Sequence, residues 1–386
     1  MGILKWLLGG FFGLIALLVI GLLVTDNGFI FKGLRMTYLR GNSTASLNDY
    51  EYFYNNTITK GTPQYWKEAP TYNTKELSEK LLQHHKKYNT IAFLVAKNGE
   101  LLYENYWNDY GKDSQSNSFS MAKSLVTLLM DCAIQDGKIK SLNQPVGDFF
   151  PKYNKGLAAE MTVGDLSRMS SGLNWDEHYY SPFSITAKGY YKTHLSDLIL
   201  TLDVVEKPGQ KFHYQSGTTQ LLGMVIEKAT GKDLSSYLSE KFWKPMGMRH
   251  DALWSLDMEG GIEKSYCCVN ANIRDFAKFG QLLLQGGQWN GQQLITRSFA
   301  EKMRKPVFPA SPEYGYSLWM DLAHTNPFYF LQGHLGQYVI VLPQQNMVIS
   351  RFGEGRTAES DTPEGKALRS EIYMMVDEAV ATFGGA

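Results

Sequence analysis

The sequence predicts an α+β fold: one antiparallel sheet flanked by helices and assembled from the two ends of the chain, a mainly helical domain inserted between them, and an N-terminal transmembrane helix in front. Three observations carry this reading. Strand-type runs gather near residues 90–106 and again over 314–352, amphipathic segments fill the stretch between, and Trp6 to Val24 are 19 consecutive apolar or glycine positions. Strands at both ends around a helical middle suggest a single sheet closed by the termini.

The elements follow in order. A run of 19 apolar positions is close to the ~20 residues that span a bilayer. A cleavable signal has a shorter apolar core of ~7–15 residues and a small-x-small site. This run instead ends Leu23-Val24-Thr25-Asp26, with no cysteine for a lipid anchor, so residues 1–25 are expected to stay as an uncleaved anchor. Lys5 precedes the span while Lys32, Arg35 and Arg40 follow it, a basic count unfavourable for export. Large domains behind an N-terminal anchor translocate regardless, and the expected location is membrane-anchored with the catalytic part periplasmic or extracytoplasmic. Residues 26–88 read as a polar, Tyr- and Asn-rich connector ending in a helix over Lys75–Lys87. Thr90–Lys97 and Glu100–Tyr106 flank Asn98-Gly99, a strong hairpin signal. Residues 89–119 and 306–386 form the sheet domain and 120–305 the helical one. The latter has amphipathic segments at Thr218–Ala229, Leu234–Phe242 and Ile273–Gln285, each ended by a nearby Gly or Pro. Strands are expected at Tyr314–Leu322, Tyr329–Gln332, Gln337–Leu342 and Met347–Phe352, with a closing helix from about Pro363 to Phe383.

Composition removes several function classes. The 38 basic and 38 acidic residues balance, so there is no electrostatic footprint for nucleic acid. With 23 Tyr and 20 Phe the chain reads as a globular enzyme. Neither a phosphate-cradling glycine loop nor His-Glu-x-x-His spacing is present, so no cofactor and no metal are expected. Cys132 lies inside an apolar helix as a small hydrophobe, and the adjacent Cys267 and Cys268 are expected to be free thiols.

Chemistry gathers in three motifs. In Ser120-Met121-Ala122-Lys123, the one place where a Ser is followed three residues later by Lys, both side chains fall on one helix face with Cβ atoms about 5–6 Å apart. The motif opens the apolar run Ser124–Ile134, so the serine sits at a helix N-terminus, whose free N–H groups suit an oxyanion. The second motif is Phe212-His213-Tyr214-Gln215-Ser216-Gly217 and the third is Gly333-His334-Leu335-Gly336-Gln337. Alone, Tyr214 is a half-buried core tyrosine, His334 a surface histidine and Gly336 a bulge. Their conjunction, in this order, is what carries a reading of catalysis.

Together they resemble the serine β-lactamase and penicillin-binding-protein superfamily: Ser-x-x-Lys, then Tyr-x-Ser/Asn, then His-x-Gly near the C-terminus. The class C β-lactamases, related esterases and 6-aminohexanoate-dimer hydrolases are the nearest look-alikes. Leu166–Leu173, Ala271–Gly280 and the Asn174–Ser184 loop with Trp175-Asp176-Glu177 add to the likeness. The resemblance implies a β-lactamase/transpeptidase-like fold and a serine hydrolase cleaving an ester or amide through an acyl-enzyme. Ser120, Lys123 and Tyr214 would then be catalytic, Ser216 would fill the place of the usual Asn, and the backbone N–H groups of Ser120 and Gln337 would form the oxyanion hole. Partners would be a small-molecule or short-peptide acyl substrate and, through the N-terminal helix, the membrane. In physical terms Lys123 is a base if burial lowers its pKa, and Tyr214 relays protons if a cation stabilises its phenolate. Gly336 suits a strand that approaches substrate closely. Asp176 and Glu177 read as a solvated loop. Where lactamases and D-alanyl carboxypeptidases usually carry Lys in the third motif, His334 is mostly neutral at pH 7, which favours an esterase or amidase. The alternatives are a D,D-peptidase or true β-lactamase, and a non-catalytic penicillin-recognising sensor.

Overall fold

The computed structural model describes residues 2–179, 181–358 and 368–385. Its helices are α1 (Gly2–Val24), α2 (Phe29–Met36), α3 (Glu79–Lys87), α4 (Ala122–Gln135), α5 (Val163–Ser167), α6 (Ile185–Tyr191), α7 (Leu195–Thr201), α8 (Ser216–Thr230), α9 (Leu234–Leu238), α10 (Ile273–Leu284), α11 (Arg297–Met303) and α12 (Ser370–Phe383). Its strands are β1 (Asn55–Ile58), β2 (Lys67–Glu68), β3 (Thr90–Lys97), β4 (Glu100–Tyr106), β5 (Ser116–Asn117), β6 (Ala252–Ser255), β7 (Val269–Ala271), β8 (Gln288–Trp289), β9 (Gln292–Gln293), β10 (Trp319–Asp321), β11 (Phe328–Gly333), β12 (Gln337–Leu342) and β13 (Met347–Gly353).

Among the described residues the main sheet has the order β10-β11-β12-β13-β3-β4-β2, antiparallel except where β2 joins β4. The two chain ends meet where Met347–Gly353 pairs with Thr90–Lys97. Side chains alternate across this sheet because the strand period is two. Phe93, Val95, Tyr338 and Ile340 pack with Leu81 of α3 and Ile372 and Val376 of α12. Leu94, Ala96, Val339 and Val341 pack with Phe276 and Phe279 of α10 and, beyond it, the helical layer containing α4 and α8. The continuous apolar run Tyr338–Leu342 is thus a strand buried on both faces.

The β3–β4 hairpin turns at Asn98 (φ +54°) and Gly99 (φ +80°), both left-handed as its tight turn requires. Helix α3 begins four residues later than expected because Ser78 caps it, its Oγ accepting from Leu81 N at 3.2 Å. The expected strand Tyr314–Leu322 shrinks to Trp319–Asp321. Its first half leaves extended geometry at Ser317 (φ +52°), whose carbonyl accepts from Ser124 Oγ at 2.6 Å and whose hydroxyl bonds Thr127 and Ser167 O. The segment Leu234–Phe242 is α9 continued by a wider π-type turn over Ser239–Trp243. Of the expected closing helix, residues 363–367 lie outside the described residues, and α12 starts at Ser370. Residues 26–88 do more than connect: β1 pairs with β6 in a second sheet of order β1-β6-β7-β5, and β2 pairs with β4.

Cys132 is buried and free. The expectation of free thiols at 267 and 268 is overturned: the two are joined as a vicinal disulfide, with Cys268 in the left-handed region at φ +72°.

Helix α10 is held to the sheet by more than apolar contact. The guanidinium of Arg274 forms an ion pair with Glu104 of β4, Nε to Oε2 at 2.8 Å, while Tyr72 and Tyr106 donate to the same carboxylate at 2.7 and 2.9 Å. Both charges are buried, so Arg274→Ala leaves an uncompensated carboxylate and is expected to cost about 3–5 kcal/mol in urea unfolding. The pair replacement Arg274→Met with Glu104→Gln should cost clearly less.

Candidate active site

The small sheet sets up the turn that carries Ser120. Strand β5 pairs with β7, Ser118 N then donates to Val269 O at 2.8 Å, and the Asn117 side chain accepts from Phe119 N at 2.8 Å. These bonds hold Phe119 at φ +44°, a sparsely populated conformation for a bulky residue, immediately before Ser120. Ser120 lies in the 3₁₀ turn that runs into α4, half-buried at the start of a helix whose residues 122–133 are all buried.

One turn into the helix, Lys123 Nζ donates to Ser120 Oγ at 3.0 Å and to the carbonyl of Tyr266 at 2.9 Å. The ammonium also lies 5.1 Å from the ring centre of Tyr214 and 5.6 Å from that of Tyr266. Lys123 is 2% exposed, and this burial lowers its pKa to about 8 although the Glu177 carboxylate pulls the other way. At that value about one-tenth of the amine is neutral at pH 7. The hydroxyl of Tyr214 lies close enough to Ser120 for the serine to influence its pKa, and its ring packs 5.6 Å from Trp319 and 6.2 Å from Tyr314. Burial, then Glu177, pushes that hydroxyl well above its ordinary range, so Tyr214 is a phenol and not the phenolate considered from sequence. The three residues of the first two motifs are therefore brought together.

Glu177 departs from the solvated loop expected for it. Its carboxylate accepts from the backbone N and the Oγ of Ser216, each at 2.6 Å, from Trp175 Nε1 at 2.8 Å, and from the hydroxyl of Tyr179. It thereby caps the N-terminus of α8, where a negative charge is favoured. Ser216 is occupied by this bond and anchors Glu177. Asp176 is exposed, as expected.

In the third motif His334 meets Phe119 edge-on at 5.5 Å, stacks on Tyr179 at 6.1 Å, and places Nε2 3.4 Å from Thr44 Oγ1. Burial, with Arg356 and Arg369 nearby, lowers its pKa to about 3, so the ring is neutral at pH 7. The close-approach argument for Gly336 is corrected. The residue is left-handed (φ +82°), and a Cβ there would lie 1.9 Å from Arg351 Nη1, which donates to Gly336 O at 2.9 Å. The glycine admits a buried arginine. Gly333 makes the close approach at the site: a Cβ on it would lie 2.2 Å from Ser118 O, so only glycine lets β11 close against the turn that carries Ser120. Gln337 is fully buried with its side chain turned inward to Gly353 O at 2.5 Å, which leaves its backbone as the group near the turn.

Sequence reasoning missed Glu177, Tyr179, Tyr266 and Gly333. For Glu177 the signal was available in the Trp175-Asp176-Glu177 loop, whereas the carbonyl of Tyr266 could be found only in three dimensions. Replacing Glu177 by Gln removes the carboxylate that supports the Lys123 ammonium. The Lys123 titration, followed by NMR on lysine-labelled protein, is expected to move from about 8 to lower pH. An unmoved titration would make Glu177 electrostatically remote.

The Beta-lactamase family model matches residues 78–373. The chain is 25% identical over 314 residues to the 6-aminohexanoate-dimer hydrolase of Paenarthrobacter ureafaciens, covering 75% of this chain and 79% of that one. A Bacillus anthracis structure provisionally named for the same activity aligns with a TM-score of 0.74 at 22% identity, over 88% of this chain and 92% of the other. A class C β-lactamase aligns with a TM-score of 0.54 at 16% identity, over 72% and 90%. The family match takes in all three motifs together, and the chain belongs to the β-lactamase family.

Proposed function

We propose that this β-lactamase-family serine hydrolase cleaves an ester or amide through an acyl-enzyme on Ser120. The observation that carries the reading is the buried Lys123 amine, 3.0 Å from Ser120 Oγ with a pKa lowered to about 8. In its neutral form the amine takes the Ser120 proton as Oγ attacks the substrate carbonyl, becoming an ammonium. The tetrahedral oxyanion would be held by the backbone N–H groups of Ser120 and Gln337. On collapse the leaving group takes the proton of Tyr214, and Tyr214 is reprotonated from Lys123. Water then enters by the reverse relay, releasing the acid and restoring the serine. The raised pKa of Tyr214 suits a donor and leaves Lys123 as the base.

Ser216 would act through Glu177, and His334, with Tyr179 stacked on it, would line the mouth of the site. The neutral ring of His334 supports a small-molecule or short-peptide acyl substrate with no demand for a carboxylate. The name of the Paenarthrobacter relative, a hydrolase of a 6-aminohexanoate dimer, supports a small acyl compound as substrate. The N-terminal helix is long and apolar enough for a membrane span or a signal sequence, and none of it is buried in the protein. We read it as a retained anchor with the catalytic part on the outer face of the membrane.

Ser120→Ala is expected to lower kcat/KM at least about 10⁴-fold and to abolish labelling by a fluorophosphonate. Retained labelling would place the nucleophile elsewhere. In the wild type kcat/KM should rise with pH through about 8, because the acting form of Lys123 is the deprotonated one. Short-chain aryl esters and a linear amide should be turned over in preference to a chromogenic cephalosporin. His334→Lys should improve the carboxylate-bearing cephalosporin by about tenfold relative to the esters, the scale of one charge-assisted contact. A cephalosporin preferred by orders of magnitude in the wild type would make this a true lactamase.

A further inference from the structure

Helix α2 has two apolar faces. Phe29, Gly33 and Met36 are buried, and Gly33 is so close to α6 that a Cβ on it would lie 3.3 Å from the Tyr191 ring. The opposite stripe carries Phe31 and Leu34, 37% and 42% exposed, with Arg35 beside them. The following turn adds Tyr38 and Leu39, at 67% and 80%. Nothing among the described residues covers this second face.

Its position names the occupant. Val24, the last residue of the apolar helix, is five Cα steps from Phe29, at most about 19 Å away. A bilayer holding α1 therefore has its surface within reach of α2. Apolar and aromatic side chains flanking the exposed Arg35 are what the headgroup layer of an anionic membrane takes up.

The inner face ties α2 to the site. Asp26 accepts from Lys192 at 2.5 Å and pairs with Lys188 at 3.6 Å, both at or beside α6. Arg40 pairs with Asp49 at 3.7 Å, and Asp49 accepts from Tyr190 of α6 at 2.9 Å. Helix α6 directly follows the loop of Trp175, Glu177 and Tyr179, and eight residues past Met36 the same segment brings Thr44 to His334.

We propose that α2 is an interfacial helix: Phe31, Leu34, Tyr38 and Leu39 seat in the headgroup layer of the bilayer that holds α1, fixing the mouth of the site at the membrane surface and directing the enzyme to amphiphilic esters or amides presented from it. The proposal rests on the anchor and on Ser120 as nucleophile, and each is read separately in the test. The full chain is reconstituted in phosphatidylethanolamine–phosphatidylglycerol vesicles. Leu39→Cys carries an NBD label, specific because Cys132 is buried and Cys267 and Cys268 are paired. Doxyl-labelled lipid should quench this label strongly and a label at Leu322→Cys weakly. A vesicle-bound chain with residue 39 unquenched overturns the docking. A chain that fails to float with vesicles removes the anchor and the proposal with it.

Unlabelled Leu34→Glu/Leu39→Glu, still vesicle-bound through α1, should keep wild-type turnover of a soluble short-chain aryl ester and lose about tenfold on a long-chain ester dissolved in the vesicles. Equal turnover of the vesicle-borne ester by both forms overturns the substrate assignment. Absence of soluble-ester hydrolysis in the wild type would instead fault the reading of Ser120.

Discussion

The structure depends on keeping one amine dry. Lys123 sits inside a helix buried on every side, and an ammonium placed there loses its water without gaining a contacting carboxylate. Its partners are a carbonyl, a hydroxyl and two ring faces, which stabilise the cation less than water would. Desolvation therefore wins over the distant pull of Glu177, and the amine titrates near 8 instead of above 10. A closer carboxylate would have made a stable ion pair and a useless base. The core packing of α4 and the lowered pKa of Lys123 are in this sense the same property.

Glu177 supplies the counterweight. It receives both polar groups of Ser216 at the start of α8, the indole of Trp175 and the phenol of Tyr179. One carboxylate thus ties residues 175–179 to the helix that follows Tyr214. The same charge raises the pKa of Tyr214 and opposes the fall at Lys123, so it moves both protons of the proposed relay in one direction. A loop residue does this because it bonds donors that the helix terminus leaves unpaired.

The parts of this fold legible in sequence were those fixed by local rules. Asn98-Gly99 set the hairpin, and short runs dominated by apolar residues set β11 to β13. The three motifs identified the residues that converge. What escaped was set by distant contacts. Strand β10 is short because Ser317 turns away to bond α4 and α5, and no local pattern encodes those partners. Gly336 and Gly333 look alike in sequence, yet one makes room for Arg351 and the other for Ser118 O. The vicinal pairing of Cys267 and Cys268 depends on a left-handed residue that a cysteine rarely adopts.

The segment between the apolar helix and the first domain strand is the largest reinterpretation. Its Tyr and Asn content suggested a tether, and a tether would leave the enzyme free to orient. Instead Asp49 is fully buried, bonded to Tyr190 and backed by Arg40, and burial raises its pKa to about 6. A carboxyl this deeply placed does not belong to a flexible linker. Asp26 and Gly33 contact α6 and Thr44 contacts His334, so the segment is packed onto the body of the protein along its length. The last of these contacts sets Thr44 against His334, whose ring meets Phe119 in the turn that carries Ser120.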